Sequence, residues 1–121
     1  MARTILPITI VVGAYPTLQP AVNTLDVTET AADTGNLNMF KCTGKEILLV
    51  HNSDAVNPYT FTVTSVVDKW NRTGDITAYS LAATEIASWG PVELAGWRQA
   101  DGYIYLQGSN AAILFSVLRI A

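Results

Sequence analysis

The chain consists of short runs of β-branched and aromatic residues, and each run is bounded by Gly, Pro, Asn or Asp. The clearest run, Tyr59–Thr64, alternates Tyr, Phe and Val with three threonines, which is the period-2 pattern of a strand with one buried face. No long segment sustains the 3.6-residue apolar period of an amphipathic helix. The pattern therefore predicts an all-β fold.

Seven to nine strands are expected from these runs, at the regular spacing typical of a single-domain antiparallel β-sandwich or jelly roll. Residues 46–51 contain four consecutive apolar residues, which predicts a central strand. Residues 76–81 and 84–89 are expected to pair with each other across a two-residue turn. The longest apolar run, 112–120, predicts the last strand. Shorter runs predict strands at 24–30, 37–42, 92–97 and 103–106.

The N-terminal region, residues 1–20, is predicted to be an extended arm or edge strand followed by a proline-containing connector. Pro7 lies within the apolar run 4–12 and cannot donate a hydrogen bond to a ladder, so this run belongs at a sheet edge or on another surface. Two further prolines favour an extended connector after it. The rest of the chain, 21–121, is expected to form one β-sandwich domain.

Length and composition limit the possible functions. With 121 residues, of which 50% are hydrophobic and 14% charged, the chain is large enough for one core and too apolar to remain disordered. A net charge of −3 argues against nucleic-acid binding, and no apolar stretch is long enough to span a membrane. Pro7 and Thr9 interrupt the N-terminal apolar run, which disfavours a signal peptide and favours synthesis in the cytoplasm. The low charge is typical of surfaces that a partner covers.

The sequence offers few groups for catalysis. His51 is the single imidazole, and it stands at a strand end among turn-forming residues. A hydrogen-bonded turn histidine is therefore a simpler interpretation than a general base for Ser53. Cys42 lies in an apolar run and is expected to act as a small hydrophobic residue. One Cys and one His do not make a structural zinc site, and we expect no enzyme activity, no cofactor and no metal.

Aromatic residues in loops are the remaining candidates for binding. Trp70 and Trp97 are predicted to lie in or beside loops, where they either cap the core or form a contact surface for a sugar or a protein. Together with Tyr103 they would make a stacking face for a carbohydrate. Trp89 precedes Gly-Pro at a strand end and is expected in the core.

From residue 44 onward, the chain carries a series of short motifs. They are 44–52 (GKEILLVHN), the threonine-alternating strand 59–64, 72–76 (RTGDI), Gly90-Pro91, 97–103 with Asp101-Gly102, and the final Val117-Leu118-Arg119-Ile120. Their order resembles the head-decoration, or capsid cement, proteins of tailed phages and prophages. The resemblance implies a β-sandwich that binds the outer surface of the major capsid protein lattice, often as a homotrimer at three-fold and quasi-three-fold positions. It also implies a location on the virion exterior after synthesis in a bacterial host.

If the protein is a cement protein, the run 4–12 is expected to pair with an adjacent protomer or capsid subunit. The alternative function is a carbohydrate-binding module, or a receptor-binding β domain of a tail fibre, that uses the exposed Trp and Tyr side chains. Pattern and expected exposure assign the partner interface to Ile5, Pro7, Ile8, Ile10, Tyr15, Trp70, Arg72 and Trp97.

Overall fold

Two β-sheets packed face to face build the protein, which confirms the predicted all-β sandwich. The computed structural model describes residues 2–11, 13 and 25–120, and this part of the chain contains no helix. Tyr15, one of the expected interface residues, lies outside the described residues. In the described part there are ten strands: β1 (Thr4–Ile5), β2 (Ile8–Val11), β3 (Thr30–Ala31), β4 (Asn38–Lys41), β5 (Glu46–Asn52), β6 (Tyr59–Thr64), β7 (Ile76–Leu81), β8 (Ile86–Trp89), β9 (Tyr103–Gly108) and β10 (Ile113–Ile120).

Each sheet contains five strands. Sheet A has the spatial order β1-β4-β9-β6-β7, and sheet B has the order β2-β10-β5-β8 with β3 also paired to β10. The predicted central strand is confirmed, because β5 lies between β10 and β8. Alternate residues of the long strands fill the space between the sheets, as Leu48 and Val50 of β5 and Ile104 and Leu106 of β9 do.

The sheets are mixed rather than purely antiparallel because of the N-terminal strands. β1 pairs in parallel with β4, and β2 pairs in parallel with β10, each at one edge of its sheet. Between them Leu6 is buried in the core, while Pro7 is exposed at the crossing from one sheet to the other. The run expected as one strand or arm thus forms edge strands of both sheets of its own chain.

The predicted hairpin of residues 76–81 and 84–89 is wrong. β7 pairs with β6 in sheet A, whereas β8 pairs with β5 in sheet B, so the turn between them crosses the sandwich. Asn52 is buried at this crossing, and its side-chain nitrogen donates to the carbonyls of Leu81 and Ala82 at 3.1 and 3.2 Å. In a hairpin, carbonyl groups at this position would accept hydrogen bonds from the opposite strand. Here the Asn52 amide supplies the donor instead.

Two further predicted strands are shorter or absent. The run 24–30 contributes only Thr30 to β3, because residues 25–29 are exposed and unpaired in either sheet. The run 92–97 forms no strand; Val92 is buried and donates its N–H to the Glu46 carbonyl, and the chain then turns. Cys42 is buried as a small hydrophobic residue, as predicted, and burial raises the pKa of its thiol.

A buried carboxylate joins the start of β5 to the end of β10. Glu46 is fully buried, and one of its oxygens accepts the N–H of Thr43 at 2.6 Å. The other oxygen accepts the Thr43 hydroxyl at 2.7 Å and Arg119 Nε at 2.6 Å. Burial by itself raises the pKa of this carboxyl, but the bonds from Thr43 and Arg119 outweigh it and lower the pKa to about 2.

Candidate interaction surface

The outward side of sheet B is apolar. Because Leu48 and Val50 point into the core, the alternation of β5 directs Ile47 and Leu49 to the other side of the sheet. Their cross-strand partners on β10 are Leu118 and Ser116. We call this side of the sheet the apolar face. Its hydrophobic members are Val11, Ile47, Leu49, Ile86, Leu114, Leu118 and Ile120.

Several of these side chains remain accessible. Ile86 is 63% exposed, and Val11 and Ile120 are each 46% exposed. A groove of about 180 Å³ on this face is lined by the apolar residues Val27, Leu49 and Ile86 and by the polar residues Glu29, His51 and Ser116. Among the outward-facing strand residues of sheet B none is Asp, Glu, Lys or Arg, which is the depletion of charge that marks the centre of protein interfaces.

His51 lines this groove and is hydrogen-bonded to a residue other than Ser53. Its Nδ1 is 3.0 Å from a carboxylate oxygen of Glu29, a partner that the sequence did not predict. The Ser53 hydroxyl donates instead to the Ala112 carbonyl at 2.7 Å. The histidine therefore attaches the exposed segment 25–29 to sheet B, and the serine closes a turn.

The outward side of sheet A has a different chemistry. Threonines of β6 and tyrosines of β9 alternate with the buried residues of these strands. Cations lie over both tyrosine rings, with Arg3 4.3 Å from the centre of Tyr105 and Lys41 5.3 Å from that of Tyr103. This side is polar and carries charge, so the two sides of the sandwich are suited to different surroundings.

The loop between β6 and β7 presents Trp70 in an ordered setting. Asp68 accepts the backbone N–H groups of Trp70 and Arg72 at 2.9 Å each, and its carboxylate also pairs with the Arg72 side chain at 2.8 Å. Lys69 and Arg72 lie 4.2 and 4.8 Å from the centre of the indole ring. Trp70 is nevertheless 64% exposed, so it does not cap the core.

Trp97 caps the core, which is one of the two roles expected for the loop tryptophans. It is half-buried against the core, and its ring meets Trp89 edge-on with 4.9 Å between ring centres. Beside it lies a cleft of about 340 Å³ that Asp68 and Arg72 also line. The three aromatic residues expected to form a sugar-stacking face have different partners. Lys69 and Arg72 lie beside Trp70, Trp89 packs against Trp97, and Lys41 lies over Tyr103.

The different settings of the tryptophans give a direct spectroscopic test. Trp70→Phe is expected to remove most of the emission that iodide quenches, because Trp70 is exposed and two cations beside it attract the anion. Trp97→Phe is the matched control and should leave the iodide-accessible fraction unchanged. An equal loss of quenching in both variants would contradict these placements.

The structure places the expected interface residues on the N-terminal strands and around the loop after β6. Ile5 and Ile10 are more than half exposed on β1 and β2, Pro7 is exposed between them, and Ile8 packs against the core. Trp70 and Arg72 share the loop after β6, and Trp97 lines the same cleft as Arg72.

The apolar face was missed although the sequence carried a signal for it. Residues 47–50 are all apolar, and in a two-layer sandwich only one side of a strand can face the core. A strand that is apolar on both sides therefore predicts either a third layer or an interface. The alternation of Leu114 and Leu118 with buried residues of β10 gives the same indication.

Comparisons with known proteins assign no family and no function to the chain. No family model, no curated protein and no solved structure matches the chain. Within the described residues, no group of three or more His, Cys, Asp or Glu side chains is placed to hold a metal ion. The same part of the chain has no helix that is long and apolar enough to cross a membrane.

Proposed function

We propose that this protein is a structural component of a tailed-phage particle that binds the outer surface of the assembled head and stabilises it. The observation that carries the proposal is the apolar face of sheet B, whose strand residues include no Asp, Glu, Lys or Arg and whose exposed side chains include Ile86, Val11 and Ile120. Exposed apolar patches that extend over several strands are typical of protein-binding surfaces. The motif resemblance supplies the partner, which is the lattice of the major capsid protein.

Stabilisation follows from selective binding. A protein that binds the assembled lattice but not free capsid subunits shifts the equilibrium toward the assembled shell by mass action. Contact with several subunits at once adds avidity, so no single site has to be strong. Such a role requires a stable surface with a fixed shape, which two sheets with a shared core provide.

The apolar face is the proposed contact with the lattice, because burial of its exposed side chains removes apolar surface from water without burying a charged strand residue. Each Å² of apolar surface removed from water contributes roughly 25 cal/mol. Sheet A, with its tyrosines, threonines and cations, would then face solvent.

The test is cosedimentation of the purified protein with heads assembled from the major capsid protein encoded in the same genome. Ile120→Glu places a charge on the apolar face at an exposed strand end and is expected to weaken head binding at least about tenfold, a change of about 1.4 kcal/mol. Gln107→Glu adds the same charge to the outward side of sheet A and should bind like the wild type. Failure of the wild-type protein to bind heads, or equal binding by both variants, would refute the proposal.

A further inference from the structure

The outer edge of β8 is regular, whereas the edge of the neighbouring strand β7 is distorted. β7 ends sheet A on the same side of the sandwich, but its register to β6 is interrupted. There Ala78 has a φ of 48° and donates its N–H to the Thr62 hydroxyl, which distorts the edge. β8 pairs with β5 in unbroken register and contains neither proline nor a charged residue. The strand is only four residues long, but it carries no bulge, proline or charge of the kind that opposes pairing at an edge.

The hydrogen-bond pattern identifies which groups of β8 are free to pair. Asn52 donates its N–H to the Glu85 carbonyl directly opposite it. In an antiparallel ladder bonded and non-bonded pairs alternate, so Ala87 and Trp89 direct their backbone groups toward β5. Ile86 and Ser88 then direct their N–H and C=O groups away from the sheet. Within the described residues, β8 has no ladder partner besides β5.

We propose that β8 pairs with β8 of a second copy of this chain, antiparallel and about a two-fold axis at Ala87. In this register Ile86 of one copy lies opposite Ser88 of the other. The outward N–H and C=O groups of both residues can therefore form hydrogen bonds between the copies. A register centred on Ser88 would pair Ile86 with Gly90, which lies outside the strand. The proposed register therefore makes the most main-chain bonds from the strand's own residues.

The side chains agree with this self-pairing. On the apolar face, the 63% exposed Ile86 of each copy lies beside the small Ser88 of the other, so a large and a small side chain are neighbours. On the inward side two Ala87 side chains meet at the axis without crowding. The pairing is isologous, with the same patch on both copies, and it continues the apolar face from one sheet B into the next.

The inference goes beyond the proposed function and does not depend on it. A three-fold assembly, which the motif resemblance implies, needs two different patches that meet head to tail. The β8 edge instead complements itself. Solution mass therefore separates the dimer proposed here from a trimer, and it does so without any capsid.

The test combines light scattering with cysteine cross-linking. The wild-type protein is expected to have the mass of a dimer at high concentration, and Ala87→Cys should form a disulfide-linked dimer on mild oxidation because the two Cβ atoms face each other at a non-hydrogen-bonded pair. Ser80→Cys, at an exposed position of β7, is the matched control and should cross-link at least about tenfold less. Cys42 is buried, so background cross-linking is low.

Ser88→Lys tests the same edge without a new thiol. The added charge is exposed in the monomer but would lie in the proposed contact, so the dimer dissociation constant should rise at least about tenfold. Ser80→Lys should have no effect. Circular dichroism checks that both variants retain the fold. A monomeric or trimeric wild-type protein, or a dimer unaffected by Ser88→Lys, would overturn the inference. Head binding is measured in a separate experiment and tests only the proposed function.

Discussion

Glu46→Gln is expected to lower the free energy of unfolding by about 3 kcal/mol at neutral pH. A carboxyl whose pKa falls from 4.5 to about 2 on folding contributes a stabilisation of that order at 1.4 kcal/mol per pH unit. Glutamine keeps the size of the side chain but loses the charge that Arg119 faces at 2.6 Å. Its amide group would also oppose donors of Thr43 and Arg119, which leaves buried polar groups unpaired.

The same change should alter the pH dependence of stability. Because the pKa of Glu46 is lowered in the folded state, its contribution is complete above about pH 4.5 and is lost as the pH falls toward 2. The wild-type protein should therefore lose stability across that interval, and Glu46→Gln should remove the part of this loss that comes from Glu46. Urea unfolding at pH 7, 4 and 2.5 measures both effects.

Glu93→Gln is the matched control for this prediction. Glu93 is exposed, so the same chemical change should leave the urea midpoint and its pH dependence close to those of the wild type. A Glu46→Gln protein as stable as the control at neutral pH would show that the buried carboxylate is not an important source of stability.

Leu6→Ala is expected to cost about 2–5 kcal/mol of unfolding free energy, the range for truncation of a buried leucine. Leu6 is 2% exposed and lies in the core between β1 and β2, and its N–H donates to the Met39 carbonyl at 2.8 Å. Ile5→Ala is the matched control. Ile5 is adjacent in sequence but 55% exposed, so its truncation should change the urea midpoint little.

This comparison also decides how the N-terminal strands are used. If the run 4–12 docked on a neighbouring protein and not on its own chain, Leu6→Ala and Ile5→Ala would have similar small effects on the isolated protein. A deletion of residues 1–14 would not show where the run 4–12 docks, even if head binding were measured. The deletion removes Leu6 and both edge strands together. A loss of binding would then reflect loss of the fold.

The alternation of apolar and polar residues was sufficient to predict the strands that have one buried side. Tyr59–Thr64 and Tyr103–Gly108 alternate apolar and polar residues, and a strand between core and solvent requires that alternation whatever its partners are. Cys42 was correctly placed in the core for the same reason, since it lies two residues after the buried Phe40 with the exposed Lys41 between them. The eight-residue strand β10 was also predicted, because its apolar run is long and is interrupted by few polar residues.

Tertiary structure decided which strands pair and what the polar residues do. β7 and β8 are adjacent in sequence but join different sheets, and the buried amide of Asn52, from a distant strand, binds the carbonyl groups at the crossing. Glu46 and Arg119 are 73 residues apart, so no local pattern reveals their bond. The fold class and the positions of the main strands follow from local patterns, because alternation and turn residues act over a few residues. Pairing, the buried ion pair and the apolar face depend on contacts between distant segments, and these exist only when the two sheets come together.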